Sequence, residues 1–424
     1  MKKLFYFMII ALAACTSVDD NFGESVNEQS KSQAPPKSLI RSVDDAMIIA
    51  QQSLTMLDRT TTRTDNGSTR KIDLANGIKT IVSNGTRSDG GGKDTLMYVF
   101  NFEDNEGFAI VAAPRCVEGL LAVTESGHYD LETPSEIEGF EMFMEMAEKY
   151  VSEKTRDPII QLIDSVICIG HSYVGPYVTV KWGQKKPEGE FCPNKTAGCT
   201  NTALAQIMSY YQYPQSINLN YPNPDKTIQQ LNWTAMKAHQ TGHSLNNCAV
   251  TDSATHGSIG RLCRQLGHMN NSIYYTNPVS TNTYSTTYAH ITMASLGYQT
   301  SSWVNYDESF IRNNLNNGKP MLIIGQLNND IYKGHAWVVD GYDTATYQYV
   351  TYAHPYGSLI WWIDSTGDTF TRYLYHFNWG WYGKNNGYFF ANVFNTSAVQ
   401  FPDTNNNSLA YNYNNGVQLL SIWH

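Results

Sequence analysis

The chain has 424 residues, 42% of them hydrophobic, with 28 Tyr and 9 Trp, enough to bury sizeable cores in two or three domains rather than one. A formal net charge of −9 argues against nucleic acid or an anionic membrane surface as the main partner. No internal run approaches the roughly 18 apolar residues that a membrane-spanning helix needs.

Residues 1–15 read as an export signal. Lys2 and Lys3 precede an apolar run over residues 4–14 that is too short to span a bilayer. The run ends in Leu12-Ala13-Ala14-Cys15, which resembles a bacterial lipobox and implies cleavage before Cys15 and a lipid upon it. The expected location is therefore outside the cell proper, lipid-anchored at the outer membrane or cell surface or in the periplasm, with release on maturation an option. Residues 16–40, rich in Ser, Asn, Gln and Pro, predict a flexible tether.

Residues 41–155 predict a small α+β unit. Ser42-Val-Asp-Asp45 opens a helix through Leu57, with Ser42 as cap and Asp45 at the third position. Residues 59–94 turn to Thr, Arg, Asn and Gly and predict a long loop. Residues 96–102 and 107–113 predict a hairpin, and 120–124 a third strand. Ser135-Glu-Ile-Glu138 reads as a capping box for a helix whose apolar stripe is Ile137, Phe140, Met144, Ala147 and Val151. The charged segment 152–157 is the expected domain boundary and a favourable place for proteolytic nicking, so 156–424 forms the second unit.

That unit is organised around Cys199. Ala203, Leu204, Ile207, Met208 and Tyr211 form one helical stripe, Thr200 and Asn201 suit its first turn, and Pro214 closes it. Cys199 thus falls at a helix N-terminus, where free N–H groups and the helix dipole favour a thiolate. One more helix is predicted near residues 257–266. From His335 onward the signals are strands, at 337–339, 347–352, 359–363, 370–379, 388–393 and 417–423, with turns at 365–368 and 384–387. The fold class is α+β: a helix carrying the Cys packed on a mostly antiparallel sheet.

A thiol nucleophile needs a base, a group to orient that base, and donors for the oxyanion. Gly334-His335-Ala336-Trp337 begins a strand with His335 136 residues after Cys199. Tyr375-His376-Phe377-Asn378-Trp379-Gly380-Trp381 puts Asn378 another 43 residues on, and Lys181-Trp182-Gly183-Gln184 ends 15 residues before Cys199. His376 shares a strand face with Asn378 and competes with His335 for the role of base. Asp340 is a possible orienting group, and Asp343 reads rather as the start of a turn. His128, His171 and His354 read as surface or turn residues.

The seven cysteines are Cys15, Cys116, Cys168, Cys192, Cys199, Cys248 and Cys263. None forms a C-x-x-C pair, so no zinc ribbon or thioredoxin-type site is expected, and neither a metal nor another cofactor is called for. Setting Cys15 and Cys199 aside leaves five, of which at least one is unpaired and most are expected to be buried thiols.

Trp182-Gly183-Gln184, Cys192-Pro193, Ala197-Gly198-Cys199 with Thr202-Ala203 and Ala205-Gln206-Ile207-Met208, Gly334-His335-Ala336-Trp337 and Asn378-Trp379-Gly380-Trp381 together resemble the streptopain family of papain-like cysteine peptidases. The resemblance covers residues 157–424. It extends more weakly over 41–152, where Tyr98-Val-Phe-Asn-Phe102 and Gly107-Phe-Ala-Ile-Val111 are similar to the family's inhibitory pro-domain. It implies that Cys199 is the nucleophile and His335 the base and then the acid. It also implies that Gln184 and the Cys199 backbone N–H form the oxyanion hole, and that Asn378 or Trp379 orients the imidazole. Gly334 and Gly198 would let a substrate backbone approach.

Three departures stand out. Residues 347–373 look like an inserted pair of strands, the 404–416 stretch is Asn-rich where relatives carry glycine, and Ala112-Ala-Pro-Arg115 replaces a Ser-Gly-Asp pattern. The resulting expectation is an exported cysteine endopeptidase made as a zymogen. Its partners would be protein or peptide substrates, its own pro-domain as intramolecular inhibitor, and a lipid anchor, with no nucleic acid. The alternatives are a catalytically silent papain-like binding module and a thiol transferase of the same chemistry.

Overall fold

The computed structural model describes residues 39–60, 70–83, 94–133, 135–155, 166–220, 227–239, 253–326, 334–353, 362–394 and 417–424. The export signal with Cys15, nearly all of the tether, Cys248, His354 and the 404–416 stretch lie outside the described residues.

Helix α1 (Val43–Thr60) begins where the cap requires. Ser42 N donates to Asp45 Oδ2 (3.2 Å) and Asp45 N to Ser42 Oγ (3.1 Å), a reciprocal box that satisfies two otherwise orphaned donors. Strands β1 (Ile78–Val82), β2 (Thr95–Asn101), β3 (Phe108–Ala112) and β4 (Leu120–Thr124) form an antiparallel run. β1 corrects the expected 59–94 loop. Its Ile78 and Ile81 point to opposite faces of the sheet, each into a different core, which a short polar-flanked pair does not announce.

The same alternation runs through β2. Tyr98 and Phe100 pack under Ala46, Ala50 and Leu57 of α1. Met97 and Val99 face the other side, toward Phe140, Phe143 and Ala147 of α2 (Glu138–Lys154). The expected Ser135–Glu138 capping box does not form. Ser135 N instead donates to Glu141 Oε1 (2.7 Å) and Ile137 N to Ser135 Oγ (3.2 Å), because the helix starts at Glu138 itself, which leaves Glu138 free to face elsewhere.

Beyond the boundary, β5 (Val166–Val174) leads to α3 (Cys199–Tyr211), the β6–β7 pair (Ser216–Leu219, Thr227–Gln230), α4 (Trp233–Ala238) and α5 (Ser253–Met269). A β8–β9 hairpin (Ile273–Thr276, Val279–Asn282), α6 (Ser285–Ser295), short β10 (Gln299–Thr300) and β11 (Val304–Asn305), and α7 (Glu308–Asn316) follow. The chain ends in β12 (Met321–Gln326), β13 (Gly334–Ala353), β14 (Trp362–Asn378), β15 (Gly387–Phe390) and β16 (Val417–Trp423).

The second unit is thus richer in helix than expected: α4, α6 and α7 were not foreseen. α6 has a weak apolar stripe, and α4 and α7 are short, at 6 and 9 residues. Of the six strands expected after His335, the first four merge into the two long strands β13 and β14, and the last two remain as β15 and β16. The 365–368 turn is instead a bulge in β14, where Gly367 and Asp368 oppose Tyr349 between the pairs Gln348↔Thr369 and Val350↔Thr366. The 347–373 insertion is the far end of this hairpin, and unforeseen β5 pairs with β13 along it.

One sheet joins the two units. Its order is β1-β2-β3-β4-β15-β14-β13-β12-β16-β10, with β11 beside β16 and β5 beside β13. The join is β4 with β15, in the register Thr124↔Gly387, Val123↔Tyr388 and Ala122↔Phe389. Helix α3 lies on one face, packing Ala203, Leu204, Ile207 and Met208 on Leu322, Ile324, Ala336 and Val338. Helix α2, from the N-terminal unit, covers the other face over Trp337, Phe377, Trp379, Phe389 and Phe394. Each such fully buried side chain contributes about 1.5–3 kcal/mol, so the N-terminal unit is held firmly on this face.

Candidate active site

Gly198 adopts φ +91°, a conformation open mainly to glycine, and a Cβ there would lie 2.8 Å from Thr281 Cγ2. The chain can therefore turn sharply into α3, whose first residue is half-buried Cys199. Thr202 Oγ1 donates to Gly183 O (3.0 Å), Ala197 N to Gln184 O (2.7 Å) and Gln206 Nε2 to Trp182 O (2.9 Å). These bonds clasp the Trp182–Gln184 segment along the start of α3. Gln184 is buried within that clasp.

His335 lies on β13 opposite Gly325 of β12, following half-buried Gly334. Its imidazole is buried against the Trp337 ring, stacked at 6.0 Å, and the Trp379 ring at 6.3 Å. Nε2 donates to the Trp379 main-chain carbonyl at 2.9 Å. Nδ1 sits 3.8 Å from Glu138 Oε2 at the N-terminus of α2. Burial alone would lower the imidazole pKa. Interactions with the Cys199 side chain, the Glu138 carboxylate and the Trp379 carbonyl outweigh it, raising the value to about 10. Cys199 and His335, the thiol and base expected from sequence, are thus brought close enough to interact.

Asn378 does not reach that ring. Its Oδ1 accepts from Gln206 Nε2 (3.0 Å) and Gly380 N (3.2 Å), and its Nδ2 donates to Val180 O (2.9 Å). Between Asn378 and Trp379, it is Trp379 that meets the imidazole, through its carbonyl rather than its indole. The indole N–H is engaged by Asn385 O at 3.0 Å.

His376 is buried and bonded elsewhere, Nδ1 to Asp340 Oδ1 (2.6 Å) and Nε2 3.4 Å from Glu125 Oε1. Burial opposes its charge, but the two carboxylates prevail and raise it to about 10. Asp340 therefore serves His376 and the Val178 N–H (2.7 Å), not His335. Asp343 is inside β13, not a turn, and pairs with His171 of β5 at 2.6 Å, which removes His171 from the surface residues. Strand pairing brings these partners together, and no local pattern encodes it. Among the described residues Cys192 and Cys263 are buried free thiols, Cys199 is a half-buried one, and Cys116 is half-buried.

Sequence reading missed Glu138 and Glu188. Glu138 was absorbed into a cap motif, and Glu188 sits in Lys186-Pro-Glu-Gly-Glu190, which reads as a solvated turn yet buries Glu188 completely.

Residues 182–389 match the model of the peptidase C10 family, and residues 37–151 match that of the Spi protease inhibitor. Over residues 182–389 the chain is similar to the peptidase C10 family. It is a streptopain-like cysteine peptidase carrying an inhibitor-like N-terminal region.

Among its relatives, streptopain of Streptococcus pyogenes is 24% identical over 345 residues, covering 72% of this chain and 75% of that protein. The thiol protease/hemagglutinin PrtT of Porphyromonas gingivalis is 23% identical over 339 residues, covering 72% of this chain, and the match spans only 35% of PrtT. Among solved structures, a fragment of Prevotella intermedia prointerpain A matches with a TM-score of 0.48 at 18% identity, covering 80% of this chain and 98% of that one. Active interpain A from the same organism matches with a TM-score of 0.37 at 18% identity, covering 58% and 94%.

Proposed function

We propose that the chain is an exported cysteine endopeptidase, made as a zymogen, that cleaves peptide bonds through a thiolate–imidazolium pair of Cys199 and His335. The observation that carries this reading is the buried His335 ring, which faces the Cys199 side chain while Glu138 and Gly139 of the inhibitor-like region press against it.

In the proposed cycle His335 takes the Cys199 proton and the thiolate attacks the scissile carbonyl. The oxyanion accepts hydrogen bonds from the Gln184 amide and the Cys199 backbone N–H. Collapse expels the amine, which takes its proton from His335, and leaves a thioester. Water, deprotonated by His335, then hydrolyses the thioester and restores the thiol. The Trp379 carbonyl fixes the Nε2–H tautomer, and Gly334 and Gly198 leave room for the substrate backbone.

Latency follows from α2 lying on the base and β4 extending the sheet. Residues 41–155 act as the pro-domain, and cleavage near Lys154-Thr-Arg156 begins activation. Cys15 would carry the lipid that anchors the precursor outside the cell.

The test is self-processing. Full-length protein should convert to a fragment beginning near residue 157 as activity rises, with an epoxide thiol inhibitor labelling Cys199. Cys199→Ala protein should stay intact alone and be trimmed at the same place by a trace of active enzyme. Full activity in the intact chain, or labelling at another cysteine, would refute the proposal.

A further inference from the structure

Glu188 is an unusual residue to find under this site. Its side chain is fully buried, Oε1 accepts from Gly183 N at 3.1 Å, and Oε2 is buried without a hydrogen-bond partner. Gly183 immediately precedes Gln184 and is held on every side. Its carbonyl accepts from Thr202 Oγ1 of α3 (3.0 Å), and a Cβ on it would come within 2.3 Å of the Tyr382 ring. On the far side of Gln184, Lys185 N donates to Tyr382 Oη (2.7 Å), and Gln184 O is taken by Ala197 N (2.7 Å). Without the Glu188 carboxyl the buried Gly183 N–H has no acceptor, at a cost of about 1–3 kcal/mol that a shift of this segment would relieve.

We propose that Glu188 is a positioning residue for the oxyanion hole, its carboxyl holding Gly183 and thereby the Gln184 amide in register with Cys199. The inference rests on the reading of Gln184 as an oxyanion donor. A simple acceptor such as glutamine would serve the same N–H; a carboxyl adds a dependence on ionisation. Burial pushes Glu188 up to about 8, against the Gly183 N–H and its own backbone N–H, which favour the anion. The titratable groups that face it are the Cys263 thiol of α5 and, next to that, Cys192. Among the described residues no cation contributes to its environment. Above that pH the carboxylate keeps the Gly183 N–H but has no donor for Oε2, so drawing it toward water relieves its burial; Gly183 moves with it and oxyanion stabilisation fails while Cys199 and His335 remain in place.

The experiment compares two reactions of the trimmed enzyme, prepared from full-length chain with immobilised active protease that is then removed. Peptide hydrolysis needs the oxyanion hole; alkylation by iodoacetamide needs only the activated thiol. Glu188→Ala should lower kcat roughly 10–100-fold, since a whole oxyanion donor is worth about 10²–10³, with KM and the alkylation rate within about twofold of wild type. In wild type the ratio of kcat to alkylation rate should fall as pH rises through about 8. Glu188→Gln should keep the neutral-pH kcat and abolish that fall. In a Gln184→Ala background, Glu188→Ala should cost nothing further.

A ratio flat with pH in wild type, the same alkaline fall in Glu188→Gln, or additive losses in the double variant would each overturn the proposal. If Glu188→Ala does not fold, the Glu188→Gln profile decides. Failure of wild type to alkylate at Cys199 would instead refute the peptidase reading beneath it.

Discussion

Gly139 of α2 packs directly on His335: a Cβ at this position would lie 2.5 Å from the imidazole Cδ2 and 2.7 Å from Trp379 Cε3. Both contacts are closer than a Cβ tolerates, so one of these buried rings would have to shift. The glycine is what lets the inhibitor-like region seat its helix terminus on the base.

Gly139→Ala should therefore weaken the latent arrangement. Overpacking of this kind costs about 1–3 kcal/mol, enough to raise the open population about tenfold. The rate at which an epoxide inhibitor labels Cys199 in unprocessed protein should rise accordingly. An unchanged rate would show that α2 does not limit access to the site.

The two buried histidines should separate cleanly by substitution. His335→Ala should reduce peptide hydrolysis to background. His376→Ala should leave most kcat in trimmed enzyme but lower the melting temperature of the full chain, because Asp340 and Glu125 lose their shared cation. The opposite pattern would exchange their roles.

Glu125 and His376 should also make the full chain's stability depend on pH. Although burial opposes its charge, His376, Lys181 and Arg70 hold Glu125 at about 2, below its ordinary 4.5. Its contribution is complete above 4.5 and is lost as pH falls toward 2. His376 is raised from 6.5 to about 10, so its contribution is complete below 6.5 and is lost as pH rises toward 10. The pair stabilises fully only between these limits. In Cys199→Ala protein, Glu125→Gln should lower the melting temperature most inside that window and flatten its pH profile. An equal drop at every pH would mean the pair is not coupled to protons.

Asn378→Ala should act on stability first. It strands Val180 O, Gly380 N and one of the two N–H bonds of the Gln206 amide in the interior, a loss of about 1–3 kcal/mol for each buried group left unpaired. Chemical denaturation of the Cys199→Ala chain with and without the substitution measures it. A change under 0.5 kcal/mol, roughly the effect of a neutral surface substitution, would show that water replaces these bonds.

Much of this was legible in the chain itself. The Ser42–Asp45 cap, the β2–β3 hairpin, β4 and the start of α3 at Cys199 arise from interactions within a few residues, and local pattern encodes them. The spacing of Gln184, Cys199, His335 and Asn378 pointed to the thiol chemistry, because reaction roles restrict residue types strongly.

What tertiary structure alone decided are the pairings across long separations. The Trp379 carbonyl takes the imidazole while Asn378 braces the backbone of Val180. Asp340 goes to His376, Asp343 goes to His171, and Glu138 crosses from the first unit to the base of the second. The β4–β15 join that makes one sheet of two units depends on which strand edges remain open once each unit has formed. A carboxylate in a sequence reads alike whether it meets water or imidazole. Burial, and the partner that folding brings to it, determine which.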